Sequence, residues 1–321
     1  MDPVQEHKWL EHAFRTFYAR RGYTALAPVR ITSRIDPTVY LVNSATNLFK
    51  QYIADDDVCV FAIQPSMRTQ ILCDYYSEEN ETEYPTCFDS YGAYVSANHL
   101  QKLIDDSIAF FSSIGFDPSR MRIRASYDDP VLTEAAAASA AGHAVEMDRR
   151  SEKYSHIYGG NVTGRAIKLD YYQEWQHKHK NLCYFILMYE NGIARGVELA
   201  TSDQLILMRL HNLQYAVSVA VITDFIPARS FPERRLADSI SGASHLLREG
   251  LRPNSSNTNG RTLKKYLNAV SYFGSQLAMS PETLAQIICA YVLREYGTAL
   301  DDQEVLTYLM CNAIRSYDNQ Q

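Results

Sequence analysis

"GVELATSDQLILMRLHN" (Gly196–Asn212) is the stretch on which the reading of the whole chain turns. It begins like a β-strand and ends like an apolar helix. Before it, strand and helix patterns alternate. After about Ser202 strand pattern is scarce, and helical segments dominate at 203–223, 233–250, 259–275, 281–297 and 301–317. The chain therefore reads as a mixed α+β domain, residues 1–205, followed by an all-helical one, residues 206–321.

A chain of 321 residues, 46% of them hydrophobic, is long enough for a sizeable core and too apolar to be disordered. No run approaches the roughly 18 apolar residues of a membrane helix. The charged start "MDPVQEHKWLEH" has no secretory apolar segment, so the cytoplasm is the expected compartment. A net charge of −6 argues against a general nucleic-acid coat protein and leaves room for a local basic face. Six cysteines (Cys59, Cys73, Cys87, Cys183, Cys289, Cys311) lie far apart, which points to free thiols rather than a zinc site or disulfides.

The α+β part opens with an amphipathic helix, Val4 to Arg21, carrying Trp9, Ala13, Phe14 and Phe17 at helical spacing. "VCVFAIQP" (58–65) reads as a short buried strand ending at its proline. "MRTQILCDYYSEENETEYPTCFD" reads as two strands joined by an acidic loop, Ser77 to Glu83. Residues 98–116 form a helix, "RMRIRASYDD" a strand, and "PVLTEAAAASAAGHAVEM" an Ala-rich helix. Two more strands flank a turn at Asn191-Gly192. Ser280 and Asp301 are helix N-caps, and "RPNSSNTNGR" (252–261) is a polar loop. His177-Lys178-His179 lacks a third ligand and reads as a surface turn, not a metal site.

The order of segments resembles the catalytic core of alanyl-tRNA synthetases, which are class II aminoacyl-tRNA synthetases. "RIDPTVYLVNSATNLFKQYI" is similar to that family's first motif at Asp36, Pro37, Thr38, Asn43, Asn47, Phe49 and Lys50. "IQPSMR" resembles the start of the second, with its arginine at Arg68. "PTCFDSYGAYVSA" continues it at Thr86, Phe88, Asp89 and Gly92. In the helical half, Ala237, Asp238, Leu246, Gly250, Gly260 and Leu263 match. The resemblance implies an antiparallel class II sheet with flanking helices, then a helical domain that binds the tRNA acceptor stem. The family's editing and C-terminal domains have no counterpart here.

Attack of a carboxylate on the ATP α-phosphate builds negative charge, which a planar, always-charged guanidinium meets with paired hydrogen bonds. The resemblance assigns that catalytic task to Arg68, and nucleotide contacts to Arg68, Phe88, Asp89 and Lys168. Amino-acid binding falls on Glu198, where the third motif carries an aspartate for the ammonium group, and on Tyr184. Contact with tRNA falls on Asn257, Asn259, Arg261, Lys264 and Lys265, within a basic group that also counts Arg234, Arg235, Arg248 and Arg252.

The departures are as informative. The third motif's two glycines become Ala200 and Ser202, and its adenine-sandwiching arginine falls on Leu205. Arg209, one helical turn on and about 6 Å along the axis, would not take the same place. Two metal carboxylates align with Lys168 and Asn181, leaving Asp170 as a substitute. The second motif's loop carries four glutamates in "SEENETE". The resemblance implies ATP and Mg²⁺ as cofactors, and these losses count against both.

Three readings follow. The chain handles an aminoacyl group, moving it to or from tRNA or a small-molecule acceptor, in one version without ATP. Alternatively, it is a non-catalytic paralogue that binds tRNA or a protein partner. The third is an ATP-dependent amino-acid-activating ligase. The implied partners are tRNA or aminoacyl-tRNA and a small amino acid such as alanine, with no membrane, in a monomer or homodimer.

Overall fold

The computed structural model describes residues 2–69, 72, 75–138 and 145–318. Its elements are α1 (Pro3–Arg20), β1 (Thr24–Ala25), α2 (Thr46–Phe49), β2 (Cys59–Met67), β3 (Cys87–Ser96), α3 (Leu100–Ser113), β4 (Met121–Ser126), α4 (Pro130–Ala137), β5 (Val145–Asp148), β6 (Ser155–Ile157), β7 (Val162–Gln173), β8 (Lys178–Glu190), β9 (Ile193–Ser202), α5 (Asp203–Leu210), α6 (Phe231–Arg248), α7 (Thr258–Gln276), α8 (Pro281–Tyr296) and α9 (Asp302–Asp318). The expected architecture is present: a mixed, largely antiparallel sheet flanked by helices, followed by a helical C-terminal region.

The strand order is β1-β2-β3-β9-β8-β7-β4-β5, with β6 paired to β7 off that path. Only β1–β2 and β4–β5 run parallel. The long hairpin β8–β9 turns at Asn191 and Gly192, both at positive φ, as an Asn-Gly pair permits without strain. Residue 65 does not end its strand. β2 runs through Pro65 to Met67, paired with β3 throughout. Met67 N–H, two residues on and so on the same side as Pro65 N, points away from β3 to Val42 O at 2.9 Å. The imino nitrogen of Pro65 thus faces the open side, where no ladder bond is lost.

Successive side chains on a strand face opposite ways, so the sheet has two distinct faces. One face packs on α1 and α3 through Phe61, Tyr91, Val197, Leu199, Phe185 and Ile167, joined by Leu10 and Phe14. The stripe of α1 is Leu10, Phe14 and Tyr18; Trp9, expected on it, is 38% exposed. The other face is apolar at one end, where Val60, Ala62, Tyr94, Ala166 and Ile186 are covered by Ala45, Leu48 and Phe49 of the α2 segment. A Cβ at Gly92 would lie 2.8 Å from both Ala45 Cβ and Phe49 Cε2, so only glycine lets α2 lie this close to β3.

The residues that match the first family motif hold this cover together. Asp36 accepts from Lys50 Nζ at 2.6 Å, Asn47 Nδ2 at 2.7 Å and Thr38 Oγ1 at 2.6 Å. Asn47 Oδ1 in turn accepts from Asn43 N at 2.9 Å.

Helices α6 to α9 build a second core around Leu236, Ile240, Leu263, Tyr266, Phe273 and Ile288, which also takes in Ile31, Met67 and Cys87 from the sheet side. Asp238 fastens the two parts, accepting from Thr86 N, Thr86 Oγ1 and Tyr75 Oη, each at 2.7 Å. Ser230 caps α6 in a capping box with Glu233, and Ser280 caps α8. Asp301 Oδ1 accepts from Gln303 N and Glu304 N at 2.9 and 3.1 Å at the start of α9.

Residue 205 lies inside α5, whose Ile206 and Leu207 pack into the sheet core. The Ala-rich segment is helical over Pro130–Ala137, and Val145–Asp148 is a strand beside β4. Residues 139–144 and Cys73 lie outside the described residues. No helix among the described residues is long and apolar enough to cross a membrane.

Candidate active-site cleft

At its polar end the second sheet face is open. The cleft there is lined by Ser44, Arg68, Tyr84, Phe88, Ser90, Asn181, Tyr184, Ala200, Ser202 and Leu205, with a volume of about 110 Å³. Strand register explains who meets whom. Ser90 lies opposite Ser202, and Gly92 and Tyr184 both lie opposite Ala200, so alternate residues of β3, β9 and β8 point the same way.

Arg68 leaves the end of β2 and is exposed to the cleft. Its guanidinium carbon sits 4.9 Å from the centre of the Phe88 ring. Among the described residues no carboxylate pairs with it. A guanidinium held over an aromatic face with its N–H groups unused is a receptor for an anion or a carbonyl oxygen. Tyrosines surround it. Burial raises Tyr184 to about 12 and also raises Tyr84, so both are neutral hydrogen-bond donors near pH 7.

The structure thus brings Arg68, Phe88 and Tyr184 together, and places Leu205 in the same cleft. Lys168 stands beside them on β7, opposite Tyr184, its Nζ 5.3 Å from that ring and 4.7 Å from Tyr154. Burial, then the nearby Arg124, lowers its pKa.

Asp89 does not join this group. As the neighbour of Phe88 on β3 it points to the opposite face, beside Asp203, and lines a separate cavity. Glu198 does not line the cleft either. It is 0% exposed beneath α2, accepting from Thr46 Oγ1 at 2.8 and 2.9 Å through its two oxygens. Burial pushes its carboxyl up to about 8, so near pH 7 it keeps its proton. In this conformation it does not meet an incoming ammonium group.

The metal ligands fare similarly. Asp170 is buried and bonded to Arg124, so it does not replace the lost carboxylates. Among the described residues no group of three or more His, Cys, Asp or Glu side chains could hold a metal ion. With an ammonium at Lys168 and a guanidinium on Asp170, the donor set does not fit Mg²⁺.

The acidic loop turns away from the cleft and anchors it. Glu81 takes both Nε and Nη2 of Arg234, at 2.8 and 2.6 Å. Glu83 pairs with Lys180 at 2.5 Å and Arg209 at 3.0 Å. Arg209 is fully buried and also donates to Asn181 O at 3.0 Å.

The basic group of the helical half is dispersed. Arg234 is tied to Glu81, and Arg235 is buried with its guanidinium 4.7 Å from the Tyr75 ring. Both sit at the far end of α6 from Arg248, about 20 Å away along the axis. Asn257 is the N-cap of α7, its Oδ1 accepting from Gly260 N at 2.7 Å. Asn254 Oδ1 accepts from Ser256 N and Asn257 N at 3.1 and 3.2 Å. These amide oxygens are therefore used in holding the loop. Arg261 and Lys265 are exposed on the first turns of α7, with Asn259 and Lys264 half-buried beside them.

His156 had no role in the sequence reading. It lies on β6, stacked on Tyr158 at 5.9 Å and edge-on to Tyr184 at 5.8 Å. Its Nε2 has no hydrogen-bond partner among the described residues. Burial, then Lys168 and Arg68, lowers its pKa, so the ring is a neutral base near pH 7. The pairing of the three-residue β6 with β7 sets it beside Tyr184, off the cleft wall itself, and no motif announces that pairing.

No protein-family model and no curated protein matches the sequence. Among solved structures, similarity is found to apo histidyl-tRNA synthetase of S. aureus (TM-score 0.44, 10% identity, 64% of this chain and 69% of that one). It is also found to aspartyl-tRNA synthetase of Entamoeba histolytica (0.42, 14%, 68% and 57%). A third is asparaginyl-tRNA synthetase of Pyrococcus horikoshii, complexed with asparaginyl-adenylate (0.42, 11%, 68% and 67%). All three are synthetases, none is an alanyl enzyme, and at these identities no residue's role carries over.

Proposed function

We propose that the protein binds an aminoacyl ester, such as the charged end of a tRNA, in the Arg68 cleft and transfers the aminoacyl group without activating it by ATP. The observation that carries this reading is Arg68 itself, a cleft-facing guanidinium seated on Phe88 with no carboxylate partner among the described residues. Attack on an ester carbonyl turns its oxygen into an oxyanion, and fixed N–H donors stabilise that charge. Arg68 supplies them, with the Tyr184 hydroxyl alongside. His156, beside Tyr184 and off the cleft wall, takes the proton of the attacking amine or hydroxyl by way of a bridging water and returns it to the departing ribose oxygen. Exposed Arg261 and Lys265, with Asn259 and Lys264, meet the tRNA backbone, and Asn257 holds their helix start in place. Leu205 in the cleft and the Arg124–Asp170 pair weigh against the ATP-dependent reading.

The test uses alanyl-tRNA and uncharged tRNA in gel shifts, with ester loss followed over time. Tighter binding of the charged form is expected, with deacylation slowed at least tenfold by Arg68→Ala and by His156→Gln. Equal binding of both forms without deacylation would favour the non-catalytic paralogue. Tight ATP·Mg²⁺ binding by calorimetry with alanine-dependent pyrophosphate exchange would establish the ligase and overturn the proposal.

A further inference from the structure

The cavity that Asp89 enters lies on the opposite side of β3 from the cleft, between the sheet, α1, α5, α6 and α8, and measures about 190 Å³. Its polar groups form a census that does not balance. His7 sits between two acceptors, Asp203 Oδ2 at 2.8 Å and Val219 O at 2.9 Å. Both ring nitrogens therefore donate, and the imidazolium neutralises Asp203. Two carboxyl groups remain, Asp89 and Glu295, against one further cation on the lining, Arg248, whose guanidinium lies 4.0 Å from the Tyr296 ring; His245, lowered to about 3 by burial and bonded to Tyr296 Oη, is neutral. With both ionised, as above about pH 8, one negative charge is left uncompensated.

The hydrogen-bonding inventory is unbalanced in the same direction. Gln204 is 7% exposed; its Nε2 donates to Cys87 O at 3.1 Å, and its buried Oε1 has no partner among the described residues. Glu295 Oε2 and His245 Nδ1 are buried without a partner among the described residues, and the half-buried Asp89 carboxyl on the cavity wall accepts no hydrogen bond from one. A buried acceptor left empty costs roughly 1–3 kcal/mol, so Gln204 Oε1 and Glu295 Oε2 around one space mark a place meant to be filled. Burial and the charge of Asp203 push Asp89 up to about 8; burial, then Asp203 against the opposing His7, leaves Glu295 at about 7. Both shifts are relieved by a positive ligand. Water could satisfy the acceptors and would leave the charge.

An ammonium group carries three N–H donors and one positive charge. Its donors match the two free buried acceptors and the Asp89 carboxyl, and its charge matches the carboxylate left over when Asp89 ionises. Pro65, Ala220 and Val221 supply apolar wall for a short carbon chain. At about 30 Å³ for each water-sized group, the space takes roughly six heavy atoms. We propose that this cavity is a second ligand site that binds a small primary ammonium compound, its three N–H groups on Asp89, Gln204 and Glu295. The proposal is independent of the cleft and of any reaction there.

The test is calorimetric titration of the full-length protein at fixed pH 8 with n-propylammonium chloride. Controls are n-propanol, which has the chain and no charge, tetramethylammonium, which has the charge and no donors, and sodium chloride. Saturable one-site binding of n-propylammonium alone is expected. Glu295→Gln and Gln204→Leu should each weaken it at least tenfold while leaving tRNA binding unchanged. No saturable heat with n-propylammonium up to about 50 mM, a Kd range where binding energy falls below roughly 2 kcal/mol, would overturn the proposal. So would equal heat with tetramethylammonium or sodium. The wild-type comparison decides the matter even if one variant fails to fold.

Discussion

Glu198 offers the most quantitative check on this structure, through Glu198→Gln measured against pH. In the folded protein the carboxyl is sealed under α2, with only Thr46 to donate to it, and its pKa rises from 4.5 to about 8. The sign follows from proton counting. Below pH 4.5 both folded and unfolded chains hold the proton, and the group is neutral in its effect. Between pH 4.5 and about 8 the unfolded chain releases it and the folded chain does not, so stability falls as pH rises. Above about 8 both are ionised and the loss is complete. At about 1.4 kcal/mol per pH unit, the whole window amounts to on the order of 4–5 kcal/mol. Glutamine keeps the shape and cannot ionise. Urea denaturation of both proteins at pH 5 and pH 9 should therefore give near-equal stabilities at the lower pH. At the higher pH the variant should be more stable by roughly 3–5 kcal/mol. Other titrating groups are common to both proteins and cancel in the difference. A stability difference that is the same at pH 5 and pH 9 would refute the burial argument, and with it the statement that Glu198 is closed to ligand.

Two further substitutions probe the anchors. Glu83→Gln strips the fully buried Arg209 of its carboxylate, and should cost roughly 3–5 kcal/mol by thermal or urea unfolding; adding Arg209→Met should recover much of it, and a lone Glu83→Gln variant as stable as the parent would refute the pairing. Asn257→Ala removes the α7 cap and should cost about 1 kcal/mol, with a gel shift on tRNA weakened far less than by Arg261→Ala; the reverse order would make Asn257 a nucleotide contact.

What was legible in the sequence was local. The strand at "RMRIRASYDD", the Asn191-Gly192 turn with its flanking strands and the Ser280 cap are each decided within a few residues, and all appear as read. Arg68 and Phe88 could be placed from a motif because one element end and one strand carry them. The failures are of another kind. Asp89 was grouped with Phe88 by adjacency in sequence, but a pleated strand sends neighbours to opposite faces. Arg234 and Arg235 were grouped with residue 252 by composition, although an 18-residue helix separates its two ends. The acidic loop suggested a lost ligand contact, yet its glutamates serve cations 97, 126 and 153 residues away, a pairing only the fold makes visible. β5 was hidden because Ala-rich sequence favours helix, and its place beside β4 is set by tertiary contact.

The same alternation that divides Phe88 from Asp89 gives β3 an unusual genetic character. One strand borders two chambers at once: Ser90 faces the Arg68 cleft, Asp89 the His7 cavity, and Phe88 touches both. A single-residue insertion just before Phe88 would turn the side chains that follow it to the opposite faces and carry the Asp89 carboxyl to the Arg68 side. The loop that precedes the strand is held by its glutamate side chains and by Ala216 N–H on Glu83 O at 2.9 Å, while the strand itself is fixed in frame. Changes at Phe88, Asp89 and Ser90 are therefore coupled, since these three consecutive residues supply walls to both chambers.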